Sequence, residues 1–167
     1  MYWLGSDHDT ARSPTPERER CRSSAATLSS RAGGVLYLDS SALVKLAVRE
    51  PETAALEAEL TRWPLSATSS ITSIEVGRAT ARARAQRRCV VAAGEVDDLL
   101  STSVEMVLTD RVRQTASQLA PPALRTLDAI HIASALVLGT DLAAVVTYDV
   151  RMQQAAERCR LRVLAPA

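Results

Sequence analysis

Short apolar runs alternate with helical segments from Val35 onward, and this predicts an α/β fold with a mostly parallel sheet and helices on both faces. Three observations carry that prediction. The run Val35-Leu36-Tyr37-Leu38 follows Gly33-Gly34, as a buried strand opening a domain does. A second run, Ala143–Thr147, is equally apolar. The helical stretches between such runs are long enough to be crossovers joining parallel strands.

The elements follow in order. Ser40 and Ser41 offer caps for a helix over Ala42–Val48, and Pro51 suits the first turn of a second helix ending near Arg62. Leu65–Thr68 reads as a weak strand. Thr68-Ser69-Ser70 then offers caps for a helix over about Ile71–Arg84. A further helix is expected over about Ala92–Ser101 and a strand over Val104–Leu108. Asp110 is the expected cap of a helix that stops before Pro121-Pro122. Thr126 begins the most apolar helix, which runs to about Leu138 with Gly139 as its stop. The strand Ala143–Thr147, a helix over Val150–Arg158 and a short edge strand over Arg162–Leu164 complete the order β-α-α-β-α-α-β-α-α-β-α-β.

Composition bounds the function. The 167 residues carry 20 basic and 19 acidic side chains, a net charge of +1, which argues against a protein held to nucleic acid by bulk positive charge. Nineteen of the cations are arginine and Lys45 is the one lysine. Apolar residues make up 47%, enough for a sizeable core, but only 3% are aromatic and none is Phe, so an RNA-binding sheet built on aromatic stacking is disfavoured. Cys21, Cys89 and Cys159 are far apart, without metal-ligand spacing, which fits a reducing compartment. No apolar run approaches the roughly 18 residues of a membrane span, and Asp7, His8, Asp9 and Arg12 stand where a signal peptide would be apolar. A cytoplasmic protein with no membrane partner is expected. Residues 1–34 are polar and lack periodicity, so they are expected to form a disordered tail ahead of one domain over 35–167. That domain carries 15 basic and 15 acidic residues.

In an open parallel sheet, ligands bind beyond the carboxyl ends of the strands. Asp39 ends the first strand and Asp149 follows the run Ala144–Tyr148, so a parallel sheet projects both from one edge. Helix capping explains either alone, but two together repel unless a cation intervenes. Glu75 lies between Ile74 and Val76, where an i+3 pair with Arg78 is the simple alternative. Asp128 lies in the first turn of the most apolar helix, where it favours the helix dipole and, being buried, needs a partner. No lysine compensates these four acids in the sequence around them. A hard divalent cation does so economically: Mg²⁺ takes one or two carboxylates, several waters and phosphate oxygens, and the chemistry implied is phosphodiester hydrolysis.

The strings Tyr37-Leu38-Asp39-Ser40-Ser41-Ala42-Leu43-Val44-Lys45, Ser73–Ala79, Leu127–Ala135 and Val146-Thr147-Tyr148-Asp149 resemble the four acidic blocks of PIN-domain ribonucleases, most closely the VapC-type toxins of bacterial toxin–antitoxin pairs. The resemblance spans about 35–167. It implies a PIN-like three-layer α/β/α fold and a Mg²⁺- or Mn²⁺-dependent endoribonuclease. It further implies an RNA substrate, a homodimer and a cognate VapB-type antitoxin. Carried over residue by residue, Asp39, Glu75, Asp128 and Asp149 correspond to the catalytic and metal-site acids, and Ser40 to the hydroxyl residue after the first Asp. The sequence Val150-Arg151-Met152 is less polar than that block usually is, so Asp149 stands apart from the other three.

Around the acids, Arg78, Arg82, Arg84, Arg87 and Arg88 form a basic stretch. On one continuous helix Arg78 and Arg82 share a face and Arg84, Arg87 and Arg88 another, either as a solvated helix end or as a rim that steers RNA phosphates. His131 is expected to be a core or interface histidine, Cys89 an ordinary thiol, and His8 of no consequence. Leu38–Leu46 and Leu56–Leu60 are candidates for a groove that takes an antitoxin helix, although such helices usually pack on their own sheet. Two rival readings remain. A haloacid-dehalogenase-like phosphotransferase using Asp39 wants an Asp at position 41, where Ser41 stands, and a downstream lysine. A PIN domain that binds RNA or protein without cutting is the other.

Overall fold

The computed structural model describes residues 33–88 and 93–167. The expected tail, with Cys21 and His8, and also Cys89, fall outside the described residues apart from Gly33 and Gly34. Five strands, β1 (Val35–Leu38), β2 (Ser66–Ser69), β3 (Val104–Met106), β4 (Leu142–Val146) and β5 (Val163–Leu164), form one sheet in the order β3-β2-β1-β4-β5. Every pairing is parallel. The helices are α1 (Ser40–Ala47), α2 (Thr53–Leu60), α3 (Thr72–Ala85), α4 (Ala93–Thr102), α5 (Asp110–Gln118), α6 (Thr126–Val137) and α7 (Val150–Arg158). The element order is the one the sequence predicts, and it gives the expected three-layer α/β/α arrangement.

The central strands β1 and β4 are continuous apolar runs because helices cover both faces of the sheet. Val35, Leu36, Tyr37 and Leu38 of β1 and Ala144, Val145 and Val146 of β4 are all fully buried. On one side Leu36, Leu38 and Val146 pack with Leu43, Leu56, Val76 and Val96. Leu38, Leu43 and Leu56 therefore serve the core, while Leu46 and Leu60 pack partly buried against it. The groove expected along Leu38–Leu46 and Leu56–Leu60 is thus occupied by this chain's own packing. Gly34 enters β1 at φ +67°, and a Cβ there would stand 2.9 Å from the Cβ of Ala143, so strand entry demands glycine twice over.

Helix starts differ from expectation: α3 has Ile71 at its cap position with no side-chain cap, so Thr68, Ser69 and Ser70 do not cap it, and in two other helices the cap precedes the expected residue. Asp39, not Ser40 or Ser41, caps α1, and Thr109, not Asp110, caps α5 by accepting from the Val112 N–H at 3.2 Å. Cap-forming residues occur in runs here, and the first of the run takes the extended backbone a cap needs. At the other end of α3, the helix stops at Ala85, Arg87 takes φ 57°, and the Arg88 N–H donates to the Ala83 carbonyl at 2.9 Å. That left-handed closure turns the chain away, so Arg84, Arg87 and Arg88 do not share a helical face.

The chain runs from β1 to β2 and β3 on one side, then crosses to β4 on the other side of β1. The reversal point lies between β1 and β4, where open α/β sheets form their crevice. Leu36→Ala, which empties the middle of the central strand, is expected to destabilise the fold by about 2–5 kcal/mol, as measured by urea unfolding.

Candidate active site

β1 ends in Asp39 and β4 leads through Thr147 and Tyr148 to Asp149, so the two acids flank the crevice. Asp39 is 5% exposed and tied into the sheet by its N–H, which donates to the Val146 carbonyl at 3.0 Å. Its Oδ2 accepts from Ser41 Oγ at 2.7 Å, from Thr147 Oγ1 at 2.8 Å and from the Ser41 N–H at 3.4 Å. Each hydroxyl is used twice. Ser41 Oγ accepts from the Tyr148 N–H at 2.9 Å, and Thr147 Oγ1 accepts from the Asp149 N–H at 3.2 Å. With their acceptor sites filled by backbone N–H groups, both hydroxyls direct their protons at Asp39. One carboxylate oxygen is thus saturated, and Oδ1 remains toward the crevice. Ser40 lines the crevice, but the hydroxyl that meets Asp39 is that of Ser41.

Asp149 caps α7, its Oδ1 accepting from the N–H groups of Arg151 at 2.7 Å and Met152 at 3.2 Å. The capping role is therefore real for both strand-end acids, and in each it leaves the other oxygen out of the cap. Asp128 sits in the first turn of α6 with its Oδ2 buried and without a hydrogen-bond partner. Burial raises its pKa, the charges of Asp149 and Asp39 raise it further, and Arg125 and His131 oppose them. Glu75 does not pair with Arg78. Its Oε2 lies 2.7 Å from Nε2 of His131, which is also 3.6 Å from Asp39 Oδ1. His131 is 2% exposed, a core residue as expected, but its ring is turned toward the acids.

All four acids line one cavity of about 700 Å³, together with Ser40, Ser41, Lys45, Arg78, Arg82, Arg125 and His131. Arg84, Arg87 and Arg88 are not among its lining residues. Arg88 instead holds Glu50 at 2.6 Å. Lys45 lies in the cavity wall, yet its ammonium is bound by Glu50 at 2.6 Å and Glu52 at 3.0 Å and rests 4.6 Å above the Tyr148 ring. It is therefore no free counter-charge for the four acids.

Comparison with known proteins bears on this arrangement. Residues 36–158 match the PIN domain family. The chain belongs to the PIN-domain family. Relatives of this PIN domain include Ribonuclease VapC46 of Mycobacterium tuberculosis (strain ATCC 25618 / H37Rv), 45% identical over 134 residues that make up 79% of this chain and 98% of the relative. Ribonuclease VapC35 of Mycobacterium tuberculosis (strain CDC 1551 / Oshkosh) is 39% identical over 142 residues, 79% of this chain and 97% of that one. These relatives place the chain in the VapC-type branch. A solved toxin–antitoxin complex from Klebsiella pneumoniae superposes with a TM-score of 0.55 at 20% identity, covering 79% of this chain and 98% of the other, and so shares the fold.

In this PIN domain the acids are hard oxygen donors, and the buried, unpartnered Asp128 Oδ2 is the atom most in need of a cation. Among the described residues no three His, Cys, Asp or Glu side chains converge on a single ion position. Mg²⁺ needs fewer: it binds through one or two carboxylates and fills its shell with water and substrate oxygens. The donor set therefore fits a divalent cation. Sequence reasoning missed Ser41, Thr147, Tyr37 and the connection of His131 to the acids. The pair Asp39-x-Ser41 was visible, whereas Thr147 and Tyr37 reach the site only through sheet register.

The wall formed by Lys45, Glu50 and Arg88 is testable by itself. Hydrogen bonds from Lys45 and Arg88 hold the Glu50 carboxyl below the ordinary glutamate value of 4.5, against the effect of burial. A lowered carboxyl stabilises the fold at high pH and loses that contribution as pH falls through its folded value. Glu50→Gln is thus expected to lower stability by about 1 kcal/mol near neutrality. Melting curves across the pH range should show the wild-type advantage constant well above pH 4.5 and vanishing below it.

Proposed function

We propose that this PIN domain is a metal-dependent endoribonuclease that hydrolyses RNA phosphodiesters, the toxin of a VapBC-type toxin–antitoxin pair. The observation that carries the reading is the gathering of Asp39, Glu75, Asp128 and Asp149 around one crevice with Asp128 Oδ2 buried and unpartnered. The names of its relatives, ribonucleases of the VapC type, support it. On this reading the working ion is Mg²⁺, with Mn²⁺ able to replace it, and the partners are RNA, a cognate VapB-type antitoxin and a second copy of the chain. The setting is cytoplasmic, and among the described residues no helix is long and apolar enough to cross a membrane.

Of Asp39, Asp128, Asp149 and Glu75, which line the crevice, one or two would hold the ion directly and the others would act through its waters. When bound, such an ion activates water and neutralises charge on the phosphodiester undergoing in-line attack. The protein's share is positional. Ser41 and Thr147 fix Asp39 in one rotamer, so its free oxygen faces the crevice without reorganisation. Asp128 carries a carboxyl that burial and its acidic neighbours make reluctant to ionise, so an incoming cation gains most there. Arg78 and Arg82, one helical turn apart on α3, border the acids and can fork onto phosphate oxygens. Ser40 lies at the same mouth. Arg84 and Arg87 are exposed beyond the cavity, and Arg88 is engaged by Glu50, so the steering role rests mainly on the first two arginines.

Neither rival gains support. The phosphotransferase reading needs a second Asp at position 41 and a lysine free beside Asp39, whereas Ser41 stands there and Lys45 is committed to two glutamates. A non-cutting module has no need of four acids around one crevice.

Two experiments test this reading. Purified protein is expected to cleave a structured RNA in Mg²⁺ and to stop in EDTA, with Asp39→Asn and Asp128→Asn each losing more than about 100-fold in rate. Equal cleavage by wild type and both variants would sink the site assignment. Arg78→Glu and Arg82→Glu are each expected to reduce the salt slope of binding to single-stranded RNA by about 0.7, and a fluorescence-anisotropy titration at several salt concentrations measures it.

A further inference from the structure

His131 and Tyr37 are buried, polar and outside the set of four acids, yet they are joined to two of them. Nδ1 of His131 lies 2.8 Å from the Tyr37 hydroxyl, and Nε2 lies 2.7 Å from Glu75 Oε2 and 3.6 Å from Asp39 Oδ1. Tyr37 is fully buried on β1 and His131 is 2% exposed on α6, one turn beyond Asp128. The direction of the hydrogen bond to Glu75 follows from donor counting. Carboxylates only accept, so the ring carries a proton on Nε2. The Tyr37 hydroxyl meets Nδ1, so both ring nitrogens are engaged by side chains. Burial keeps that hydroxyl protonated.

Simple satisfaction of a buried ring does not account for the arrangement. Both nitrogens are matched to side chains from other elements, and one of them points out of the core at a site acid. Glu75 has several rotatable bonds and lies next to the 64% exposed Ile74, at a helix start with no side-chain cap. Without His131 nothing else among its hydrogen-bond partners in the described residues would hold it over the crevice.

We propose that Tyr37 and His131 are positioning residues that hold the Glu75 carboxylate at the crevice, facing Asp39, and so set both cation affinity and cleavage rate without touching RNA. The inference rests on the proposed endoribonuclease function and names how its second acid is held. The Tyr37 hydroxyl orients the imidazole, the imidazole orients Glu75, and the entropy of fixing that side chain is spent on folding rather than on cation binding.

The test compares wild type with Tyr37→Phe, His131→Leu, His131→Gln, Glu75→Gln and the double variant His131→Leu/Glu75→Gln. Mn²⁺ affinity is read by calorimetry, kcat and KM by RNA cleavage, and folding by thermal melting. His131→Leu and the shape-conserving Tyr37→Phe are expected to lose roughly 10- to 100-fold in Mn²⁺ affinity and kcat, with KM for RNA unchanged. His131→Gln, which still offers an N–H, is expected to recover part of the loss. Because His131 acts through Glu75, the double variant should fall no further than the worse single variant. Multiplied losses in the double variant, or wild-type Mn²⁺ affinity in a folded Tyr37→Phe protein, would overturn the inference. If Asp39→Asn abolishes cleavage but Glu75→Gln retains it, the endoribonuclease reading stands and this inference falls. If wild type neither binds Mn²⁺ nor cuts RNA, both fall.

Discussion

The structure is organised around an electrostatic constraint: four carboxylates line one crevice at the edge of a parallel sheet, with arginines on its wall and its one lysine engaged by glutamates. Asp128 shows the strain: burial first, and the like charges of Asp149 and Asp39 after it, raise its pKa, and its Oδ2 is buried without a partner. The nearby cations are held elsewhere or stand at the rim. Lys45 is bound by Glu50 and Glu52, and Arg88 by Glu50. The crevice is left rich in negative charge, which is the electrostatic setting that the proposed divalent cation would complete.

That imbalance is tolerable because the acids are held by structure that would form anyway. Asp39 and Asp149 each cap a helix with one oxygen, so the helices α1 and α7 secure the acids through ordinary folding interactions. Ser41 and Thr147 tie Asp39 to the backbone of the β4 extension, across the same strand boundary where the chain reverses direction. The crevice and its acids are therefore one construction. Helix capping and the proposed role at the metal do not compete for these two residues, since a carboxylate has two oxygens and capping uses one.

The sequence made the fold legible where burial dictates pattern. Val35–Leu38 and Ala144–Val146 are buried, so continuous apolar runs announced them, and the strand-end acids followed from parallel geometry. Helix 126–137 was equally plain because eight of its twelve side chains are apolar. Legibility failed where one residue's rotation or the chain's exact exit decides the outcome. Ser40 and Ser41 are adjacent and chemically identical, and only the capping of α1 by Asp39 brings Ser41 back onto the carboxylate. The arginines after Glu75 look like a helical pair of faces until α3 closes at Ala85 through the left-handed Arg87.

His131 shows the deeper limit. Its surroundings in sequence are apolar, and a buried histidine is the correct reading of them. What periodicity cannot supply is the direction of a ring whose two nitrogens differ. The pairing of β1 with β2 and β4, together with the packing of α6, brings Tyr37 to one nitrogen, while α3 brings Glu75 to the other. The same residue is thereby core in its burial and directed at the crevice acids in its orientation. The neutral charge balance has the same character: +1 over the chain conceals acids concentrated in a crevice and arginines at its rim. In both cases the average property is correct and the function resides in its spatial distribution.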